Sequence, residues 1–159
     1  MFSNHSYEEM KTTVVRSHQI LIGAPLEVVF DYVSDLTRHP EWSGGELKVE
    51  AVTPGPVEIG KQYISHGEVA IQKDRPNTVR VTKFEPPYRF GFTALDPDFG
   101  DVMHEFTFEE QGSGVLVRRD MTLSLHPVVA FLFRTVAYPL IGGPSMNRAL
   151  ACLKARLES

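Results

Sequence analysis

Two polar residues, His104 and Arg119, occupy positions where strand-like alternation places apolar side chains. Val102, His104, Phe106 and Phe108 share one parity, as do Val117, Arg119, Met121 and Leu123. Glu105, Thr107, Glu109, Arg118 and Asp120 take the opposite parity. The apolar faces must look inward, so the imidazole and the guanidinium are carried inward with them. An unpaired charge in such surroundings is costly, and each group needs a partner. One reading gives them a ligand's carboxylate, phosphate or enolate, with the pair stabilising an enolate or shuttling a proton. The other reading puts each at a strand end, satisfied by a glutamate or by water. Sequence leaves both open.

Trp42, His39 and Tyr63 form a second group beside short helical segments that would flank a pocket mouth. Trp42 there either touches a ligand or anchors the core. Arg134 and Tyr138 are four apart on a helical pattern and could line a cavity together, though Arg134 reaches solvent at less cost. Asp96, Asp98 and Asp101 with Gly100 have the flavour of a calcium loop. They lack its later bidentate acid, and Pro97 makes a hairpin turn the better account. The six histidines show no HxxxH or HxH spacing, and Cys152 is the only cysteine, which excludes an intrachain disulfide. No GxSxG and no glycine-rich phosphate loop is found. The expectation is a site with no metal and no cofactor.

The elements that must position these residues follow from the pattern. Thr12 to Gly23 is rich in β-branched residues and reads as a strand with Val14, Ile20 and Ile22 on one face. Ala24-Pro25 opens a helix whose Leu26, Val29, Phe30 and Val33 make an apolar stripe, and Asp35 caps a second short turn that ends at Pro40. Six strand-like segments follow: 47–52, 62–72, 78–84, 88–95, 101–110 and 115–125. In the fourth of these, Tyr88, Phe90 and Phe92 share a face. From Pro127 a long helix carries Val129, Phe133, Val136 and Leu140 on one face, is interrupted at Gly142-Gly143-Pro144, and continues with Met146, Leu150, Leu153 and Leu157. Consecutive hairpins rather than alternating strands and helices predict an antiparallel sheet. A single domain over residues 1–159 is expected, with an ordered core from about 12 to 157.

Composition sets the outer limits. With 42% hydrophobic residues, 23% charged residues and a formal net charge of −4, the chain is globular, and it lacks the basic excess of a nucleic-acid binder. Pro127 to Asn147 carries one charge, Arg134, but also Pro139, Gly142, Gly143 and Pro144, so a buried or amphipathic helix is a better reading than a transmembrane one. Contact with a membrane surface stays open. The polar first eleven residues do not read as a secretory signal, which makes the cytoplasm the default compartment.

The element order resembles the helix-grip fold of the START/Bet v 1-like (SRPBCC) superfamily: an α+β fold whose curved antiparallel sheet wraps a long C-terminal helix, with two short helices after the first strand. Residues 20–35, Ile-Leu-Ile-Gly-Ala-Pro-Leu-Glu-Val-Val-Phe-Asp-Tyr-Val-Ser-Asp, with His39-Pro40-Glu41-Trp42 after them, look like the opening of its polyketide cyclase/dehydrase-type subgroup. Gly60-Lys61-Gln62-Tyr63 and Phe84-Glu85-Pro86-Pro87-Tyr88-Arg89-Phe90 are similar to that subgroup's glycine-led strand and proline-proline turn. Gly114-Val115 departs from a frequent Gly-Thr at the last strand. The resemblance implies a small or medium hydrophobic ligand, such as a lipid, isoprenoid or polyketide-like compound, in an internal cavity. Its expected lining is Trp42, Tyr63, Phe90, Phe92, His104, Phe106, Phe108, Arg119, Met121, Phe133 and Tyr138. Two alternatives stand beside binding: a cofactor-independent cyclase or dehydratase using His104 and Arg119, and a protein-partner role such as chaperone activation. A homodimer stays open.

Overall fold

The structure, a computed structural model, describes residues 10–69, 72–96 and 100–159. The suggested calcium-like loop reaches Asp98, which lies outside the described residues.

Seven antiparallel strands form one sheet in the order β1-β7-β6-β5-β4-β3-β2. They are β1 (Thr12–Ile22), β2 (Leu47–Ala51), β3 (Gln62–Val69), β4 (Gln72–Glu85), β5 (Arg89–Asp96), β6 (Gly100–Gln111) and β7 (Gly114–Leu125). Helix α1 (Leu26–Ser34) and a 3-10 helix (Leu36–Glu41) separate β1 from β2. Asp35 caps the 3-10 helix through the Thr37 backbone N–H, as its sequence position predicts. Pro40 lies inside that turn instead of stopping it. A register shift between Val81 and Lys83 adds one residue to β4 against β5, a bulge that bends the sheet.

Alternation holds along the sheet. Val14, Ile22, Phe90, Phe92, Phe106, Phe108, Val117, Arg119 and Leu123 are buried, whereas Arg118 between them is exposed. Tyr88 departs from the face assigned to it. It is 59% exposed because it sits in the turn after Pro86-Pro87, before β5 begins. Phe30 of α1 packs against Phe84 and Phe108 at ring separations of 5.7 and 5.3 Å, closing one end of the core.

The C-terminal helix is continuous from Pro127 to Glu158, and the interruption expected at the glycines is a change of pitch. Helix α2 (Pro127–Leu132) passes into a π-helical stretch (Phe133–Gly142) and then into α3 (Gly143–Glu158). Pro139 has no N–H to offer the preceding turn, and Gly143 N reaches back five residues to Tyr138 O. The widened turns also rotate the face: Val136 and Leu140, expected inside, are 50% and 72% exposed. Val129, expected there too, is 44% exposed in α2 before the widening begins, and the buried residues of the helix are Ala130, Tyr138, Gly143, Met146, Ala149, Leu150 and Leu153. Two polar latches fix α3 to the end of β1: Lys154 Nζ to Leu21 O (2.7 Å) and Gly23 N to Glu158 Oε1 (2.7 Å).

Candidate functional site

Arg119 is at the centre of the inner face. Its neighbours across β7's two partner strands are His18 on β1 and Phe106 on β6. The residue is 5% exposed. Among the described residues no carboxylate lies within ion-pair distance of it. One guanidinium nitrogen, Nη2, donates to His104 Nδ1 at 3.3 Å, and Nε has no partner. The remaining surroundings are aromatic faces: the guanidinium carbon is 5.3 Å from the Phe106 ring centre and 5.9 Å from that of Trp42. Ring faces attract a cation but do not satisfy its N–H groups.

Because arginine can only donate, His104 must present a bare Nδ1 and carry its proton on Nε2. Burial first, then the Arg119 charge, holds its pKa well below the ordinary 6.5. His39 stacks on Trp42 at 4.3 Å and is pushed down to about 3 by the same two causes. Arg119 itself is lowered to about 10 by burial, so it remains a cation at neutral pH. The site therefore pairs one permanent positive charge with two neutral imidazoles. That combination suits an anion or a carbonyl oxygen that becomes one.

Two hollows meet at Arg119. The inner one, about 130 Å³, is lined by Leu36, Val49, Val79, Phe92, Ala94 and His104 in addition to His39, Leu47 and Arg119. The outer one, about 580 Å³, also has His39, Leu47 and Arg119 in its wall, and opens between Ser43-Gly44-Gly45 and Met146-Arg148. Gly44 has φ +77°, a left-handed turn that brings the loop against Arg148.

Of the residues expected to line a cavity, the structure brings His104, Arg119 and Phe92 into the inner hollow, with Trp42 in contact with the Arg119 guanidinium. Phe90, Phe106 and Phe108 instead stack into the core and line neither hollow at Arg119. Tyr63 is buried in the same core; its hydroxyl has no partner, and burial raises its pKa to about 12. Met121 and Phe133 pack in a separate cluster with Val14, Leu123, Leu125 and Ala130. Arg134 is exposed, with Nη2 on Thr13 O at 3.1 Å, as its cost in apolar surroundings predicts.

Tyr138 is buried beside the site, where its hydroxyl meets His18 Nε2 while His18 Nδ1 meets Asn147 Oδ1 at 2.7 Å. Sequence reasoning passed over His18 and Asn147. The signal for His18 was available: it shares the parity of Val14, Ile20 and Ile22 and so had to point inward. Asn147 gave none. The Tyr138 ring rests on the helix backbone itself, since a Cβ at Gly142 would stand 2.7 Å from its Cδ2. Gly142→Ala is therefore expected to lower stability by about 1–3 kcal/mol through overpacking. In a Tyr138→Ala background the same change should raise stability by about 0.5–1 kcal/mol, because alanine favours helix over glycine. Urea unfolding of the four proteins reads the reversal of sign; equal effects in both backgrounds would refute the ring seat.

The sequence from residue 12 to 158 matches the family described as polyketide cyclase/dehydrase and lipid transport. Among curated proteins, none matches the sequence. Solved structures share the fold at low identity. A di-domain aromatase/cyclase, BexL from the BE-7585A biosynthetic pathway, superposes with a TM-score of 0.73 at 16% identity over 92% of this chain. This chain spans 50% of that di-domain protein's length. TTHA0849 from Thermus thermophilus gives 0.71 at 21% identity, covering 91% of this chain and 97% of that one. Truncated norcoclaurine synthase from Thalictrum flavum gives 0.69 at 18% identity, covering 94% and 96%.

Proposed function

The chain belongs to the polyketide cyclase/dehydrase and lipid transport family, and from that premise we propose that it binds an aromatic or polyketide-like molecule by an anionic or carbonyl oxygen placed on Arg119. The observation that carries this reading is a buried guanidinium with no carboxylate partner among the described residues and an unused Nε–H. A structural arginine would be neutralised by a neighbour; this one is left for an incoming group. Apolar contact with Phe92, Leu36 and Val79 supplies affinity, and Arg119 with His104 supplies orientation. The inner hollow suits one ring, and the outer one gives room for the rest of a larger molecule. Native mass spectrometry of freshly purified protein is expected to show one apolar acid or ketone retained per chain. A bare chain mass, together with no saturable quenching of Trp42 by 2-naphthoate, would sink the reading.

A second reading rests on a different observation. Val128, Phe131, Leu132, Val136, Leu140 and Ile141 expose a large apolar face on the first half of the C-terminal helix. Faces of that kind mark protein or membrane contacts. We propose a second copy of this chain as its occupant. Sedimentation velocity is expected to show a dimer that Phe131→Asp with Ile141→Asp converts to monomer; a monomeric parent protein would contradict it.

A further inference from the structure

We propose that His18, Tyr138 and Asn147 form a proton relay beside Arg119, serving removal of a proton from the carbon next to a ligand carbonyl whose oxygen Arg119 holds. The inference rests on the ligand-cavity reading above and adds the group that would act on the bound molecule.

Three elements contribute one residue each: β1, the π-helical stretch and α3. The hydrogen-bond chain has a fixed direction. Asn147 Oδ1 can only accept, so His18 carries its proton on Nδ1 and leaves Nε2 as a lone pair. The Tyr138 hydroxyl donates to that lone pair. A hydroxyl on a base that is itself oriented by a third group is the arrangement by which proteins prepare a proton-transfer site. Tyr138 needs only one partner to be satisfied in the core, yet its partner is aligned as well, and the glycine seat fixes its ring.

The relay is placed at the anion site by sheet register. His18 is directly opposite Arg119 on the neighbouring strand, and both point to the inner face. Cβ atoms of such a pair lie about 4.5–5.5 Å apart. The charged and titratable groups facing Tyr138 are Arg119, His18 and Arg16, whose guanidinium carbon is 5.4 Å from the ring centre. Burial raises the Tyr138 pKa more than the two arginines lower it, so Tyr138 stays a phenol and passes a proton on only as it receives one.

The step balances without any further reactant. The C–H bond next to the carbonyl breaks, and its proton goes to Tyr138 Oη as the phenol's own proton passes to His18 Nε2. The electron pair becomes an enolate whose oxygen takes the Arg119 N–H groups. The imidazolium then donates to Tyr138 and Asn147 together. Reversal returns the proton to carbon, or to a hydroxyl on the next carbon, which leaves as water while the enolate pair forms the C=C bond.

The probe is α-tetralone, an aromatic ketone with an exchangeable methylene. Binding is read by quenching of Trp42, the single tryptophan, and exchange by loss of the methylene proton signal in deuterated buffer. Saturated wild-type protein is expected to speed exchange by roughly 100-fold or more over buffer. Tyr138→Phe and His18→Gln should each lose at least about tenfold of that rate while their Kd stays within about twofold of wild type. Thermal unfolding verifies that each variant is folded. Wild type that binds α-tetralone without exchanging it, or Tyr138→Phe that exchanges it at the wild-type rate, overturns the relay alone. Wild type that binds 2-naphthoate but not α-tetralone overturns the relay alone, and wild type that binds neither overturns the cavity reading with it.

Discussion

Arg119→Met is expected to weaken 2-naphthoate binding by roughly ten- to one-hundred-fold while leaving the protein as stable as before or more so. The first effect follows because a hydrogen bond to a charged group contributes about 1.5–3 kcal/mol, and each 1.4 kcal/mol is about tenfold in Kd. The second follows because the guanidinium is buried without a carboxylate partner among the described residues. Methionine fills similar volume with no charge to desolvate, so the cost of burying an unpaired cation disappears. His104 Nδ1 loses its donor, which costs about 1 kcal/mol against that gain. Arg119→Lys keeps the charge but not the planar fork, so it should bind at an intermediate level. Trp42 quenching and urea unfolding on the same preparations separate the outcomes. A loss of about 3–5 kcal/mol in stability would mean that Arg119 is half of a structural ion pair after all.

Acid should destabilise the protein through the same site. The unfolded chain accepts protons on His39 and His104 near pH 6.5, but the folded chain refuses one at His39 until about pH 3 and at His104 until well below the ordinary value. Between those limits the unfolded state binds more protons, so stability falls as pH falls. The slope approaches about 1.4 kcal/mol per pH unit for each histidine. Both face Arg119 and each other, and no described carboxylate offsets them. From pH 7 to pH 5 the loss is therefore about 2 kcal/mol per histidine. His104→Gln keeps an acceptor for Arg119 and should remove its share; an unchanged loss in that variant would show that His104 is protonated freely in the folded state.

Sequence carried the architecture well because it rests on two periodicities. Alternation along β5, β6 and β7 marks His104 and Arg119 as inward residues, and hairpin turns such as Gly112 separate the strands. The 3.6-residue stripe of α1 is equally plain, with Leu26, Val29, Phe30 and Val33 all buried. The same logic fails on the C-terminal helix between Phe133 and Gly142. More residues per turn there put Tyr138 inside and turn Val136 and Leu140 outward, so a stripe drawn at 3.6 residues selects the wrong face. Parity also says which side of the sheet a phenylalanine faces, but not whether α1 or open space meets it. Phe106 and Phe108 went to packing, and Phe92 to the hollow, for that reason. Asn147 is exposed on α3, and only the three-dimensional approach of β1 brings it to His18.

The most direct measurement is the Arg119 Nε–H resonance, assigned by its loss in Arg119→Lys and followed by proton–nitrogen NMR during titration with 2-naphthoate. The account predicts a saturable shift of that single resonance, with the same Kd as the quenching of Trp42. Quenching of Trp42 with the Arg119 resonance unmoved would place the ligand elsewhere and contradict the anion site.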